Sequence, residues 1–345
     1  MWYTKTIFNS SLNFLVNIMK EPTYRQAIHA SWKMAWNHKD LWPLGLFAML
    51  LGQFGLVELV TKVWSTFFIT YESMWQTCQS LFSEKIWIGL KQLTRLPVDQ
   101  LIWLAWLIIL LIGIGFGLLF VAAVSQGALV YAGAKFSKFR LSYPDEVKSW
   151  HVGVRHVWRI IGLNILRKIV LSLSIMWAAF ASYQLVIAPN GLGYFAFWVT
   201  FISALLIGLI TSILLMYAVG YVVVEEYGLK KSIKAAWHLF LDHPIVSLEV
   251  AVMTFFLNIG LLLFALFSVL YVFFLPNIVA RYFVLLFQAP PIGKIVGVGS
   301  YGLFLVVMMA ASALFTVFVI TVWSFLFSKM HSGNFASRLI RSIRR

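Results

Sequence analysis

Six stretches of this chain, 41–60, 101–124, 160–188, 194–224, 245–275 and 298–327, run for twenty residues or more with at most two charged side chains in each. A bilayer's hydrocarbon core is about 30 Å thick, which a helix of roughly 20 apolar residues crosses. Inside that core each backbone polar group must be bonded within its own segment, so the stretches read as helices. Composition closes off the alternatives. Of 345 residues, 61% are hydrophobic, 17% aromatic and only 11% charged, whereas a soluble domain carries about 25% charged residues. A water-soluble globule, a disordered chain, collagen and a coiled coil are all excluded. The expected fold class is all-α: a polytopic membrane protein of six transmembrane helices, with 1–345 a single membrane domain.

Orientation follows from where lysine and arginine fall. Lys62, Lys85, Lys91, Arg95, Arg281 and Lys294 lie on one side of the six spans, leaving 21 of the 27 basic residues on the other. The positive-inside rule puts that richer side, with both termini, in the cytoplasm. A prokaryotic inner membrane is the expected location. The formal net charge of +15 is then a topological signature, and nucleic acid is not expected as a partner. Cys78 is the single cysteine, which excludes an intramolecular disulfide and a multi-cysteine metal site. The first twenty residues place Ile7, Phe8, Leu12, Leu15, Ile18 and Met19 at helical spacing among asparagines and serines. They read as an amphipathic surface helix and not as a secretory leader.

Between the first two spans, 62–93 repeats the pattern with Val63, Trp64, Phe67, Phe68, Tyr71, Met74 and Trp75 on one face, an amphipathic helix at the outer interface or a lid. The uncharged Pro189-Asn190-Gly191-Leu192-Gly193 turn makes spans three and four a tight hairpin. Pro276 opens an outer loop with an apolar piece, 278–287, too short to cross.

A motif recurs on the basic side. Ser31-Trp32…His38, Ser149-Trp150…His156 and Ala236-Trp237…His243 each read small-Trp-x5-His and each precedes an odd-numbered span. Random placement of 15 Trp and 7 His supplies about 0.3 such Trp–His pairs, so an internal repeat is the expectation. Three units of interfacial helix plus transmembrane hairpin result, at about 23–134, 142–224 and 229–328, with a basic tail at 329–345. Ser142-Tyr143-Pro144-Asp145-Glu146 reads as the second helix's start. Glu225 and Glu226 are placed to complement the dipole of the third. Pro43 and Pro244 break the chain ahead of spans one and five, and Gly162 stands near the corresponding place in the second unit.

Ala27-Ile28-His29-Ala30-Ser31-Trp32-Lys33-Met34-Ala35-Trp36 and Val223-Val224-Glu225-Glu226-Tyr227-Gly228, set among six spans, resemble a broad group of poorly characterised prokaryotic membrane proteins. The chain is similar to the membrane domain attached to some glycerophosphoryl diester phosphodiesterases. The likeness covers most of the chain. With 345 residues taken up by spans, the catalytic barrel of those enzymes has no room, so the resemblance implies neither phosphodiesterase activity nor catalytic residues.

Charges within spans are costly and mark candidate sites. Glu249 lies early in span five, and Arg167 and Lys168 early in span three, with Asn164 and Asn258 nearby in sequence. They form either a clamp between repeats or a polar site for a headgroup or ion. His38, His156 and His243 hold equivalent repeat positions and, if brought together, have the ligand set of an open zinc site; at helix C-termini they equally suit the dipole. Gly113-xxx-Gly117 and Ala204-xxx-Gly208-xxx-Ser212 read as close helix-packing faces. Trp32, Trp150 and Trp237, with Arg338, Arg341, Arg344 and Arg345 of the tail, are the candidate contacts to anionic inner-leaflet headgroups. Three function classes follow. The first is a non-enzymatic protein that binds or organises lipid, with no cofactor and with membrane lipids as partners, a second copy or another membrane protein completing the partner list. The second is a transporter or channel for a small or lipid-like substrate, its site between repeats. The third is a membrane enzyme using the histidine trio.

Overall fold

The computed structural model describes residues 23–51, 97–138, 146–187, 191–287 and 290–331. Every element among them is helical. Helix α1 (Thr23–Asn37) is followed by a 3-10 turn (Lys39–Leu41), the short α2 (Trp42–Ala48) and a second 3-10 turn (Met49–Leu51). Then come α3 (Val98–Lys138), α4 (Glu146–Ile187), α5 (Gly191–Val224), α6 (Leu229–Asp242), α7 (Pro244–Ser268), a π-helical turn (Val269–Phe274), α8 (Leu275–Phe287) and α9 (Pro290–His331). Helices α3, α4, α5, the run from α7 through α8, and α9 are long and apolar enough to cross a bilayer. The chain is a multi-pass, all-α membrane protein. Of the first expected span only 41–51 falls among the described residues. The N-terminal helix, the outer amphipathic helix at 62–93 and the tail arginines lie outside them.

Three expectations are corrected. The second unit has no break between its basic-side helix and its span: α4 runs unbroken for 42 residues. In the third unit His243 leaves the helical region (φ −136°, ψ 54°) because a residue before proline is pushed out of it. In the first, His38 does so (φ −111°, ψ 76°) and Pro43 then enters the first turn of α2. No proline follows His156, and Gly162 alone breaks nothing; its bare Cα admits the Leu229 side chain, which a Cβ would meet at 2.8 Å.

Segment 278–287 is likewise no loop insert but the end of the α7–α8 run. Proline removes an N–H and crowds the turn before it. The helix absorbs Pro276 by widening to a π turn over Val269–Phe274, a recognised way of accommodating such a defect. Asn277 Nδ2 donates to the Phe273 carbonyl at 2.6 Å and to Ser300 Oγ at 2.8 Å, fastening α8 to α9. The third correction concerns Gly113, Gly115 and Gly117, whose added Cβ atoms would meet nothing within 4 Å. That stretch of α3 is exposed. Ala204 and Gly208 are buried, as a packing face requires.

Close packing is concentrated at one end. There α3, α5 and α9 meet, with α1 and α2 laid on α9, α4 on α3 and α5, and α6 on α5. Glycines set the closest approaches. A Cβ on Gly153 of α4 would lie 2.3 Å from the Val124 carbonyl oxygen of α3, and one on Gly45 of α2 would lie 2.4 Å from that of Ala313 on α9. Gly133 meets Ser324 and Thr321, and Gly220 meets the Phe327 ring. Toward the other end, among the described residues, α4 pairs with α5 through Leu171, Ile175, Phe201 and Leu205, and α8 and the π turn with α9.

Candidate functional site

The packed end carries three amphipathic surfaces. On α1, Ala27, Ser31, Met34 and Ala35 are buried while Arg25, His29, Trp32, Lys33 and Trp36 face out. On α6, Ser232, Ala236 and Leu239 are buried and Lys230, Lys231, Lys234, Trp237, His238 and Leu241 face out. The first turns of α4 bury Ser149, Gly153, His156 and Val157 and expose Lys148, His151, Arg155, Trp158 and Arg159. Both sets follow helical spacing because one face of each helix is pressed on the bundle.

The motif's small residue has a physical reason in each copy. Ser31, Ser149 and Ala236 are all within about 1% of complete burial, so a longer side chain there would lift the helix off the core. The tryptophan that follows turns outward at Trp32 (51% exposed) and Trp237 (44%). Trp150 instead packs half-buried on the core, and its outward place is taken by Trp158, 65% exposed. Trp36, 52% exposed, stacks on Trp32 at 5.9 Å and also approaches Trp42. Neither Trp36 nor Trp158 belongs to the repeat motif. Helical spacing from the buried small residue is the signal that finds them.

Of the polar residues expected inside the spans, the structure joins one on α4 to a side chain not foreseen and another to a backbone carbonyl. Asn164 Nδ2 donates to Gln126 Oε1 of α3 at 2.8 Å and to the Ile160 carbonyl at 2.9 Å. One turn on, buried Arg167 donates through Nη2 to the Leu51 carbonyl at 2.9 Å. A hydrogen bond with an ionised donor is stronger than a neutral one. Gln126 Nε2 and Asn164 Oδ1 have no partner among the described residues. An adjacent spare donor and spare acceptor, both enclosed, are what one water or one hydroxyl would satisfy. Lys168 faces out beside Ile165, Leu166 and Ile169. Glu249 and Asn258 lie on α7, where Asn258 Nδ2 donates to Thr254 of its own helix at 2.8 Å.

The histidines are not brought together: among the described residues no three His, Cys, Asp or Glu side chains form a metal-holding group. His38 and His243 end α1 and α6, their N–H groups bonded back to the carbonyls of Met34 and Leu239. His156 is buried in mid-helix, and neither ring nitrogen has a hydrogen-bond partner among the described residues.

The acids at the head of α6 serve a different purpose from the expected dipole contact. Helix α6 starts at Gly228 with no acid in its first turn. Glu226 sits at φ 56°, the left-handed turn that ends many helices, and pairs with Arg155 at 3.1 Å. Arg159 donates to the carbonyls of Glu226 and Tyr227 at 3.2 and 3.3 Å. Glu225 meets His331 at 3.4 Å. Tyr221 stacks on Tyr227 and meets Phe327 and His331 edge-on, and Lys231 Nζ lies 4.0 Å over the Tyr227 ring. Segment 223–228 therefore ties α4, α5, α6 and α9 together.

No family model, curated protein or solved structure shows significant similarity to this chain.

Proposed function

We propose that this chain is a non-enzymatic protein of a prokaryotic inner membrane that binds or organises anionic lipid at the inner leaflet, with both termini cytoplasmic, six spans and three helix-plus-hairpin repeats. In this proposal it is a membrane domain of the kind attached to glycerophosphoryl diester phosphodiesterases, without their catalysis. The observation that carries it is the set of outward faces on α1, α4 and α6, each combining lysine or arginine with tryptophan at the packed end. Indole rings favour the headgroup level, and each basic residue near an anionic surface contributes about 1 kcal/mol. Co-purifying lipid, read by native mass spectrometry, tests it. Wild type retains phosphatidylglycerol over phosphatidylcholine; replacing Trp32, Lys33, Trp237 and Lys234 together by Ala and Gln removes the preference. Equal retention of both lipids by wild type ends the proposal.

The enclosed Gln126–Asn164 pair favours one second reading, a transporter for a small or lipid-like substrate. Uptake into proteoliposomes that falls with Asn164→Leu, at unchanged expression, would support it.

A further inference from the structure

The spanning helices are too long for one bilayer. At 1.5 Å per residue, the 41 residues of α3 and the 42 of α9 each reach roughly 60 Å, about twice the hydrocarbon thickness. Their surroundings change along the way. Helix α3 is largely exposed over 98–118, apolar there but for Asp99 and Gln100 at its start, and largely enclosed from 122 onward. Helix α9 is exposed along most of 290–310 and enclosed beyond. In α5 the last exposed side chain is Leu206, and enclosure is complete from 215. The exposed lengths, between about 16 and 21 residues, correspond to roughly 24–32 Å, one hydrocarbon core.

On α4 the exposed cations reach deeper, ten residues and about 15 Å past Trp158. The helix's exposed charges stop at Lys168, beyond which Ile169, Leu173, Met176, Trp177 and Phe180 face out. Trp158 lies 6.1 Å from Phe116, two residues short of the point where the exposed stretch of α3 ends. Lys168 makes no ion pair among the described residues, yet stands in an apolar outward surface. An ammonium there must reach headgroups along its own stem.

We infer that the bilayer ends at this transition. The outer halves of α3, α4, α5 and α9, with the outer part of the α7–α8 run, are the described portion of its spanning part, and the enclosed halves, wrapped by α1, α6 and the first turns of α4, form a base standing clear of the hydrocarbon. Lys168 on the lipid-facing side of α4, about 15 Å beyond Trp158, draws the phosphodiester of an anionic lipid inward by snorkelling and local thinning of the leaflet, with Trp158 below it in the headgroup layer. The base is tipped: α7 exposes a row of apolar side chains beside it, at Leu248, Val252 and Phe256, and that flank sinks into the inner leaflet. This deepens the lipid-binding proposal by fixing where the lipid sits.

In a Cys78→Ser background reconstituted in phosphatidylglycerol vesicles, Val154→Cys is expected to react with a water-soluble maleimide admitted to the base side. Leu173→Cys and Met176→Cys stay silent until detergent is added. Labelling of Met176→Cys at the rate of Val154→Cys, or silence of both, overturns the placement. Lys168→Gln is expected to lower phosphatidylglycerol retention about fivefold while the α1 and α6 faces still select it over phosphatidylcholine. Unchanged retention by Lys168→Gln overturns the headgroup site and leaves the broader proposal standing. Displacement of the lipid by millimolar inorganic phosphate overturns it in favour of a free-anion site.

Discussion

At the residue scale, glycines and enclosed amides decide the packing. A methyl on Gly153 would press into the backbone of α3, where no side chain can swing aside. Gly153→Ala is expected to destabilise the protein by about 1–3 kcal/mol, as overpacking does. Gly113→Ala, in open surroundings, changes stability little or raises it by up to about 1 kcal/mol. Thermal unfolding in one detergent, run on both variants, checks the contrast; equal effects would refute the packing assignment. The Gln126–Asn164 pair makes a different prediction. Leucine at 164 leaves the Gln126 amide enclosed without its partner, costing about 1–3 kcal/mol, and leucine at 126 costs less because Asn164 keeps the Ile160 carbonyl, whereas leucine at both is nearly neutral. A double-mutant cycle that came out additive would show that the two amides are not coupled. Asn164 was legible as a polar residue in a span. Its partner was not, because Gln126 lies 38 positions away on another helix and only the crossing of α3 and α4 selects it.

At the element scale, proline acts according to its neighbours. Pro244 ends α6 and starts α7, while Pro276 is carried inside a continuous run through a π turn. Sequence reasoning treated both as breaks, since the missing N–H is the same in each. The difference lies in the next residue: Asn277 caps the Phe273 carbonyl and grips Ser300 of α9, so the chain has hydrogen bonds to gain by continuing. Asn277→Leu should therefore loosen this joint. Amide hydrogen exchange over 269–277 is expected to rise at least severalfold, with 244–260 unaffected; unchanged exchange would mean that the π turn holds without the asparagine. The segment at 223–228 was equally opaque. Glu225 and Glu226 precede a helix, where acids favour the dipole, but His331 and Arg155 reach them from α9 and α4.

At the scale of the whole molecule, the distribution of burial matters more than the number of helices. One end is a packed bundle and the other leaves its helices apolar and outward. Electron microscopy of the protein in a lipid nanodisc should therefore show a slab of about 30 Å around the outer halves, with the base projecting on one face. A slab centred on the bundle would contradict the placement argued above.

Apolar runs of twenty residues and a charge content of 11% determine an all-helical membrane chain without reference to any fold, because unbonded backbone cannot be left in hydrocarbon. The small-Trp-x5-His recurrence further marks α1 and α6 as helices with outward tryptophans, since burial of the small residue and exposure of its neighbour follow from helical spacing there, while Trp150 of α4 packs on the core instead. Those are local or periodic properties, and a linear sequence contains them. Which polar groups meet, whether a helix breaks at a proline, and how much of a 60 Å helix is enclosed all depend on neighbours distant in sequence. Hydropathy marks a residue as apolar whether it faces lipid or protein, so only the tertiary structure separates the enclosed halves of α3, α5 and α9 from the halves left exposed.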